Sequence, residues 1–344
     1  MKNRWQRRTA LDGELEILRR IRLRADTRRR GLRLGIGDDC ALLGIKPGEE
    51  IAVTTDLSIE GRHFRLDCHP PESVGHRTLA RGLSDLAAMG ARPLAAFLSL
   101  GLPRELATAR GRRKPWVDCF YDGLLALADT HKTPLAGGDL AESPLALADI
   151  VLVGAVLQGR ALLRSGAHPG DILYVTGTLG GASAGLTHLT ALAAKHAGPG
   201  RPLRIPQKLE SVLRPHLYPE PRIPQGLWLQ RRGIASAAID ISDGLSTDLV
   251  HLCEESGVAA EVDAAFVPIA PGATLDQALH GGEDYELLFT ARPAARLPHA
   301  LSGIPVSRIG RIVCRRPGSP QVLLRTPAGL QPLEPRGWEH FSRK

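Results

Sequence analysis

Aromatic residues are scarce: Phe, Trp and Tyr together make up 4% of 344 residues. Any core must therefore be built from Leu, Ala, Val and Ile, drawn from an ordinary 43% hydrophobic content. No apolar run reaches the roughly 20 residues of a membrane span. The Arg-rich N-terminus has no apolar segment behind it, so a secretory signal is not expected. Five cysteines (Cys40, Cys68, Cys119, Cys253, Cys314) lie far apart with no CxxC, which argues against zinc and for a reducing, cytoplasmic setting. There is no serine elbow, no Cys-His arrangement, no Lys-Ser/Thr ending to a glycine-rich loop, and no HRD or DFG set. Net charge is also missing from most of the chain: beyond residue 33 the 32 Lys+Arg balance the 32 Asp+Glu. Residues 1–33 hold twelve Lys+Arg against four Asp+Glu, which is the whole of the net +8. The basicity belongs to an N-terminal helical arm, best read as a solvated Arg-biased helix, so neither membrane nor nucleic acid is the expected partner.

What is present is a set of Asp residues at the ends of apolar elements. The fullest example is 238–248, Ala-Ile-Asp-Ile-Ser-Asp-Gly-Leu-Ser-Thr-Asp, where an apolar run enters and a helix-period run (Leu245, Leu249, Leu252, Cys253) leaves. Asp is depleted in strands and costs free energy to bury unless it is paired or bound to a cation. A strand ending in Asp240 and Asp243 therefore asks for a cation, although either Asp243 or Ser242 would also serve as a cap for the next helix. The theme recurs at Gly37-Asp38-Asp39, at Thr54-Thr55-Asp56 ending an apolar run, at Gly137-Gly138-Asp139, and at Gly282-Glu283-Asp284. Asp85 sits in the C-terminal half of a predicted helix over 73–89, where the helix dipole disfavours a carboxylate. Oxygen donors without His or Cys clusters point to Mg²⁺ or Mn²⁺, and several such sites point to a polyphosphate substrate. Phosphoryl transfer needs positioning and charge neutralisation rather than a nucleophile–base pair. A magnesium-dependent phosphohydrolase and a non-catalytic nucleotide-binding protein remain alternatives at this point.

Other elements are predicted as helices over 11–23, 116–128 and 226–232, and as strands over 51–56, 94–102, 146–157, 172–176 and 261–268. Two or three more strands follow near the C-terminus. A basic loop is expected over 104–114 and an insert over 195–206, while the glycine-rich 177–185 reads equally as a stretch holding phosphate oxygens on free N–H groups or as a tight strand-to-helix turn. Length suggests two domains, with a boundary near Gly159.

The motifs together resemble one family, the thiamine-monophosphate kinases of the aminoimidazole-ribonucleotide synthetase-like superfamily. The resemblance runs through Gly35-Ile36-Gly37-Asp38-Asp39, Thr54-Thr55-Asp56, Gly61-Arg62-His63-Phe64 and Leu83-Ser84-Asp85-Leu86. It continues through Gly137-Gly138-Asp139, Arg164-Ser165-Gly166-Ala167, Ile239-Asp240-Ile241-Ser242-Asp243-Gly244 and Gly281-Gly282-Glu283-Asp284-Tyr285-Glu286-Leu287. It implies an α/β (α+β) fold: a basic helical arm over 1–33, an N-terminal mixed sheet with dimer-forming strands over 34–158, and a C-terminal α/β domain over 159–344. It implies a homodimer, ATP as co-substrate, several Mg²⁺ ions, and phosphorylation of thiamine monophosphate to thiamine diphosphate. By motif position Asp39, Thr54, Thr55, Asp56, Asp85, Asp139, Asp240 and Asp243 are the implied metal ligands. Tyr121, Gly138, Asp139, Arg164 and Ser242 are the implied ATP contacts, and His63, Asp284 and Trp338 the implied thiamine phosphate contacts. The chain departs from the family pattern at Gly82, where Asn is usual, and at Leu140-Ala141, where a polar pair is usual.

Overall fold

The structure is a computed structural model and describes residues 14–25, 31–36, 40–108, 114–195, 203 and 205–338. Its first half runs α1 (Glu14–Arg24), β1 (Leu32–Leu34), β2 (Leu42–Leu43), β3 (Glu49–Ile59), α2 (Pro71–Ala88), β4 (Arg92–Leu102), the single turn α3 (Arg104–Ala107), α4 (Trp116–Thr130), β5 (Leu135–Glu142) and β6 (Leu147–Leu157). The main sheet has the order β3-β6-β4-β5, antiparallel except for the β4–β5 pair, which α4 connects as a crossover. Helices α2 and α4 cover one face. Val74, Leu79, Leu83 and Leu86 of α2 meet Val117, Phe120 and Leu124 of α4 in the core. The two helices touch backbone to backbone because each brings a glycine: a Cβ on Gly75 would lie 1.9 Å from the Phe120 carbonyl oxygen, and one on Gly123 would lie 1.8 Å from that of Glu72.

Successive side chains of a strand alternate between faces. On β3, Thr54 and Asp56 therefore point toward α2, while Ile51, Val53 and Leu57 stand on the uncovered face at 54%, 64% and 45% exposure. Register carries the same division across the sheet: Leu57, Asp149, Ser99 and Asp139 are cross-strand neighbours on the open face.

The second half runs β7 (Ile172–Thr176), α5 (Gly181–Lys195), α6 (Glu210–Leu217), α7 (Ile223–Arg232), β8 (Ala235–Asp240), α8 (Leu245–Ser256), β9 (Ala259–Asp263), α9 (Leu275–His280), β10 (Leu287–Ala291), β11 (Ala300–Leu301), β12 (Ile304–Val313), β13 (Val322–Thr326) and β14 (Gly329–Pro332). Its sheet has the order β14-β13-β9-β12-β7-β10-β8, with β11 paired to β12, and only β9–β13 is parallel. Helix α2 is shared: it also packs on α7 and β8, and Ala238, Leu287 and Phe289 join the core built on α2 and α4. Two mixed α/β units are thus joined along one helix.

Several expectations are corrected. The N-terminal helix is not a wholly solvated arm. Ile17 and Ile21 are buried, and Arg20 and Arg24 pair with Asp118 and Asp122 of α4. The basic stretch 104–114 begins as a helical turn rather than a loop. The strand expected over 261–268 ends at Asp263, because the Asp263 carboxylate accepts the Ala265 N–H and opens a short 3₁₀ turn. Helix α6 was not anticipated, since Pro215 inside it argues against a helix; it costs little here because the helix is only two turns long. Helix α9 was also missed, although Thr274 and Gln277 form a reciprocal capping box at its start. Four strands close the C-terminal region instead of two or three. Most of the 195–206 insert lies outside the described residues. Among the described residues no helix is long and apolar enough to cross a membrane.

Candidate active site

One face of α2 carries Arg77, Arg81 and Asp85 at four-residue intervals, so the three side chains form a column. Each rung meets a different element. Arg77 pairs with Glu283 in the loop before β10 at 2.5 Å. Arg81 faces Asp56 of β3 at 3.6 Å. Asp85 accepts the Thr54 hydroxyl, and its neighbour Ser84 donates to Asp240 at the end of β8 at 2.6 Å. The turn after β8 is shaped by Asp248 of α8, whose Oδ2 accepts the N–H groups of Ser242, Asp243 and Gly244 at 3.1, 3.1 and 3.0 Å. Asp248 thus braces the turn from inside α8, whose N-cap is Gly244, and neither the Ser242 nor the Asp243 side chain caps the helix.

These elements enclose a cleft of 550 Å³ whose lining includes an acidic set, Asp56, Asp85, Asp240 and Asp243 with Ser242, a basic set, Arg62, His63, Arg65, His69, Arg81 and His216, and Trp338. The acidic set is short of positive charge. Burial, then the Asp85 charge, push the Asp56 carboxyl up to about 6 against the pull of Arg81. Burial, then Asp85 and Asp56, push Asp240 up to about 7. Asp85 is raised by burial in spite of Thr54, Arg164 and Arg81. Among the basic residues His69 and His216 are linked to each other, while His216 Nδ1 is buried without a hydrogen bond, 3.6 Å from Glu283 Oε2. The Arg65 N–H donates to His69 Nδ1 at 3.1 Å, so His69 Nε2 carries the proton and donates to His216 Nε2 at 3.0 Å. Arg77 donates to that same His216 nitrogen at 3.0 Å. Burial opposes ionisation of Glu283, but Arg77, His216 and Arg81 outweigh it and hold the carboxyl at about 2. The loop pays with strain: Glu283 and Tyr285 both adopt positive φ, +67° and +50°.

Of the residues singled out in the sequence, Asp56, Asp85, Asp240, Ser242, Asp243, His63 and Trp338 border the one cleft. Thr54 supports Asp85 from the same side of β3. Thr55 also borders the cleft, but its hydroxyl donates to Asp149 at 2.9 Å on the open face. Asp139 lies on that open face of edge strand β5, beside Gly138, and is not gathered with the other acids. Arg164 is exposed, and its charge is felt by Asp85 and Asp240. Tyr121 is buried in the α2–α4 core, where burial raises its hydroxyl pKa. Asp284 turns away to accept the N–H groups of Gly180 and Ala182 at the start of α5, and burial lifts it to about 7. Asp39 lies outside the described residues. His63 is oriented by the Ile59 N–H, which donates to its Nδ1 at 3.0 Å. Trp338 is held by its own N–H on the Asp243 carbonyl at 3.1 Å. The preceding Gly337 allows this, because a Cβ there would lie 2.1 Å from that carbonyl oxygen.

Models of the AIR synthase related protein N-terminal and C-terminal domains match residues 37–159 and 168–322. A thiamine-monophosphate kinase of Salmonella typhimurium is 39% identical over 314 residues, covering 87% of this chain and 90% of the relative. The chain belongs to the thiamine-monophosphate kinase family. The crystal structure of the family's Stenotrophomonas maltophilia member has a TM-score of 0.73 at 38% identity, covering 89% of this chain and 94% of that one. A solved structure described as AaThiL complexed with AMPPCP and TMP has a TM-score of 0.72 at 30% identity, covering 96% and 97%.

For a thiamine-monophosphate kinase family member, sequence reasoning overlooked Arg77, Arg81 and Asp248. The i, i+4 spacing of Arg77 and Arg81 ahead of Asp85 was a usable signal. Asp248 carried none, since its role depends on the turn folding back over α8.

Proposed function

We propose that this chain transfers the γ-phosphoryl group of ATP directly to the phosphate of thiamine monophosphate, releasing ADP and thiamine diphosphate. The observation that carries the reading is the triplet Asp56, Asp85 and Asp240: half-buried and buried acids gathered in one cleft, where Asp85 raises Asp56 and both raise Asp240, with Arg62 and Arg65 also in the lining. Among the described residues no three His, Cys, Asp or Glu side chains are gathered tightly enough to hold a metal by themselves. That fits Mg²⁺, which keeps waters and takes one or two carboxylates together with substrate phosphates. The donors here are all oxygens, which suits a hard cation and not zinc. Asp56, Asp85, Asp240 and Asp243 would share such ions, one or two carboxylates to each, with Thr54 and Ser84 fixing the orientation of Asp85 and Asp240. When bound, the ion supplies neutralisation of the triphosphate charge.

The remaining work falls to the chain's own groups. Arg81 screens Asp56 and keeps that carboxylate aimed across the cleft. Arg62, Arg65 and the Nε2–H of His63 in the cleft lining suit the acceptor phosphate. Trp338, 43% exposed at the cleft edge, offers a π face to the thiazolium cation. Two anionic substrates repel at close range, so a cleft that carries both cation-gathering carboxylates and phosphate-binding arginines offsets that repulsion while they are aligned for in-line transfer. The relative described with AMPPCP and TMP supports both substrates. A homodimer through the open face of β3 and β6 is part of the same proposal, supported by the apolar Ile51, Val53 and Leu57 exposed there.

The test is purified protein with ATP, Mg²⁺ and thiamine monophosphate, followed by separation of thiamine species and of ADP. Thiamine diphosphate should appear in step with ADP and stop on addition of a chelator. ADP formed equally without acceptor would replace the kinase reading with a phosphohydrolase. Sedimentation as a monomer at micromolar concentration would remove the dimer.

A further inference from the structure

A second groove, larger than the catalytic cleft, lies elsewhere on the described residues. It measures 1180 Å³, against 550 Å³ for the cleft, and the two share no lining residue. It runs between the two halves of the molecule, where the chain leaves α2, α4 and α7. Its floor is apolar, built from Pro93, Val156, Ile223, Leu227 and Trp228. Its rim is cationic, with Lys46, Arg92, Lys132, Arg231 and Arg232 against one acid, Glu49, which is already paired to Arg92 at 3.0 Å.

Cations at helix C-termini complement the helix dipole, and that accounts for Arg231 and Arg232 at the end of α7. It does not account for a half-buried Trp in the groove lining; Lys46, before a strand, lies 4.0 Å from Glu49, an acid it shares with Arg92. Two further groups point to an absent partner. Gln230 is 4% exposed, borders the groove, and its Nε2 makes no hydrogen bond. His131 Nε2, also on the groove, is likewise buried and unpaired. A buried donor left unmade costs about 1–3 kcal/mol. Burial, then the nearby His76, pull the His131 pKa down to about 4, so it offers a neutral hydrogen-bonding edge and not another charge. Arg232 lies 5.9 Å from the Trp228 ring centroid, leaving a cation beside the aromatic surface.

A simple inorganic anion has no use for the apolar floor, and a hydrocarbon chain has no use for five rim cations or two neutral polar groups. A flat heterocycle carrying several negative charges uses all three features. We propose that this groove is a second, non-catalytic site for a nucleoside polyphosphate. Its ring lies along the floor at Trp228, read by Gln230 and His131, and its phosphates lie among Lys46, Lys132, Arg231 and Arg232. The site does not depend on the catalytic reading.

The test uses the full chain and radiolabelled ADP in equilibrium dialysis, comparing wild type with an Arg231→Glu/Arg232→Glu double variant. Both arginines are exposed and remote from the catalytic cleft, so the variant should keep wild-type turnover, with a melting temperature only a few degrees lower for the charge reversal at the α7 C-terminus. The variant should bind one ADP fewer per chain, or bind the second at least tenfold more weakly. Photolabelling with 8-azido-ADP should mark the peptide spanning 223–232 in wild type and not in the variant. Equal ADP stoichiometry and affinity in the two proteins, or label confined to peptides of the catalytic cleft, would overturn the proposal.

Discussion

Asp240 and Glu283 border the same cleft, and the fold treats them in opposite ways. Glu283 has Arg77 at 2.5 Å, lies near His216, and is held at about 2. Asp240, 3% exposed, has one neutral donor in Ser84, faces Asp85 and Asp56, and is pushed up to about 7. One carboxylate is complete within the protein and the other is not. A fold gains nothing in stability by collecting buried charges it does not neutralise. The incomplete end is thus where a ligand's charge belongs, while the complete end is scaffold that sets the strained 283–285 loop beside it.

That contrast is most exposed to test at its scaffold end. Arg77→Met leaves Glu283 without its main partner and should cost about 3–5 kcal/mol of unfolding free energy in urea titrations. Glu283→Gln in the same chain should recover much of it. The pH dependence has a definite sign. A carboxylate held at about 2, against 4.5 when free, contributes stability that is fully present above about pH 4.5 and is lost as pH falls toward 2. Wild type should therefore lose stability more steeply across that window than Arg77→Met. Parallel acid limbs would mean that the pair is not what holds the loop.

The acidic end should respond in the reverse manner. Asp240→Asn is expected to lower kcat by about 10²–10³ while leaving the melting temperature unchanged or higher, because it removes a buried charge whose burial and acidic neighbours outweigh the pull of Arg164. A kcat within threefold of wild type would make both ends scaffold and dissolve the distinction. A smaller effect belongs to the cleft edge. Trp338→Ala should raise the KM for thiamine monophosphate about tenfold, near the upper range of a cation–π contact, and that for ATP much less. Gly337→Ala should reproduce the same split by forcing Trp338 off the Asp243 carbonyl. If either variant raises only the ATP KM, Trp338 does not face the acceptor.

Much of this was legible in the sequence because acids at the ends of apolar runs are conspicuous. Asp56, Asp85, Asp240 and Asp243 were all found that way, and the two-unit α/β architecture followed from the family motifs. The sequence did not show which carboxylates share a face. Asp139 reads like the others, yet strand register places it with Asp149 and Leu57 on the open side of the sheet. Nor did it show which acids are already spent. Asp284 caps α5 and Asp248 ties the turn after β8 through contacts that exist only once distant segments meet. Compensation between charges is a tertiary property, and spacing along the chain does not encode it.

Adjacent threonines on β3 allow the finest test. Both are implied metal ligands by motif, but alternation sends their hydroxyls to opposite faces: Thr54 to Asp85 under α2, Thr55 to Asp149 on the open side. Thr54→Val removes a donor from an acid that is already under-compensated. At about 1 kcal/mol for such a bond, it should lower kcat roughly fivefold with little change in KM for either substrate. Thr55→Val removes a contact between exposed groups and should stay within about 0.5 kcal/mol in stability, with kcat unchanged. Steady-state kinetics on the two variants side by side decide the point. Equal losses would mean that the Thr55 side chain also serves the cation, and that the division between the two sheet faces does not mark the boundary of the site.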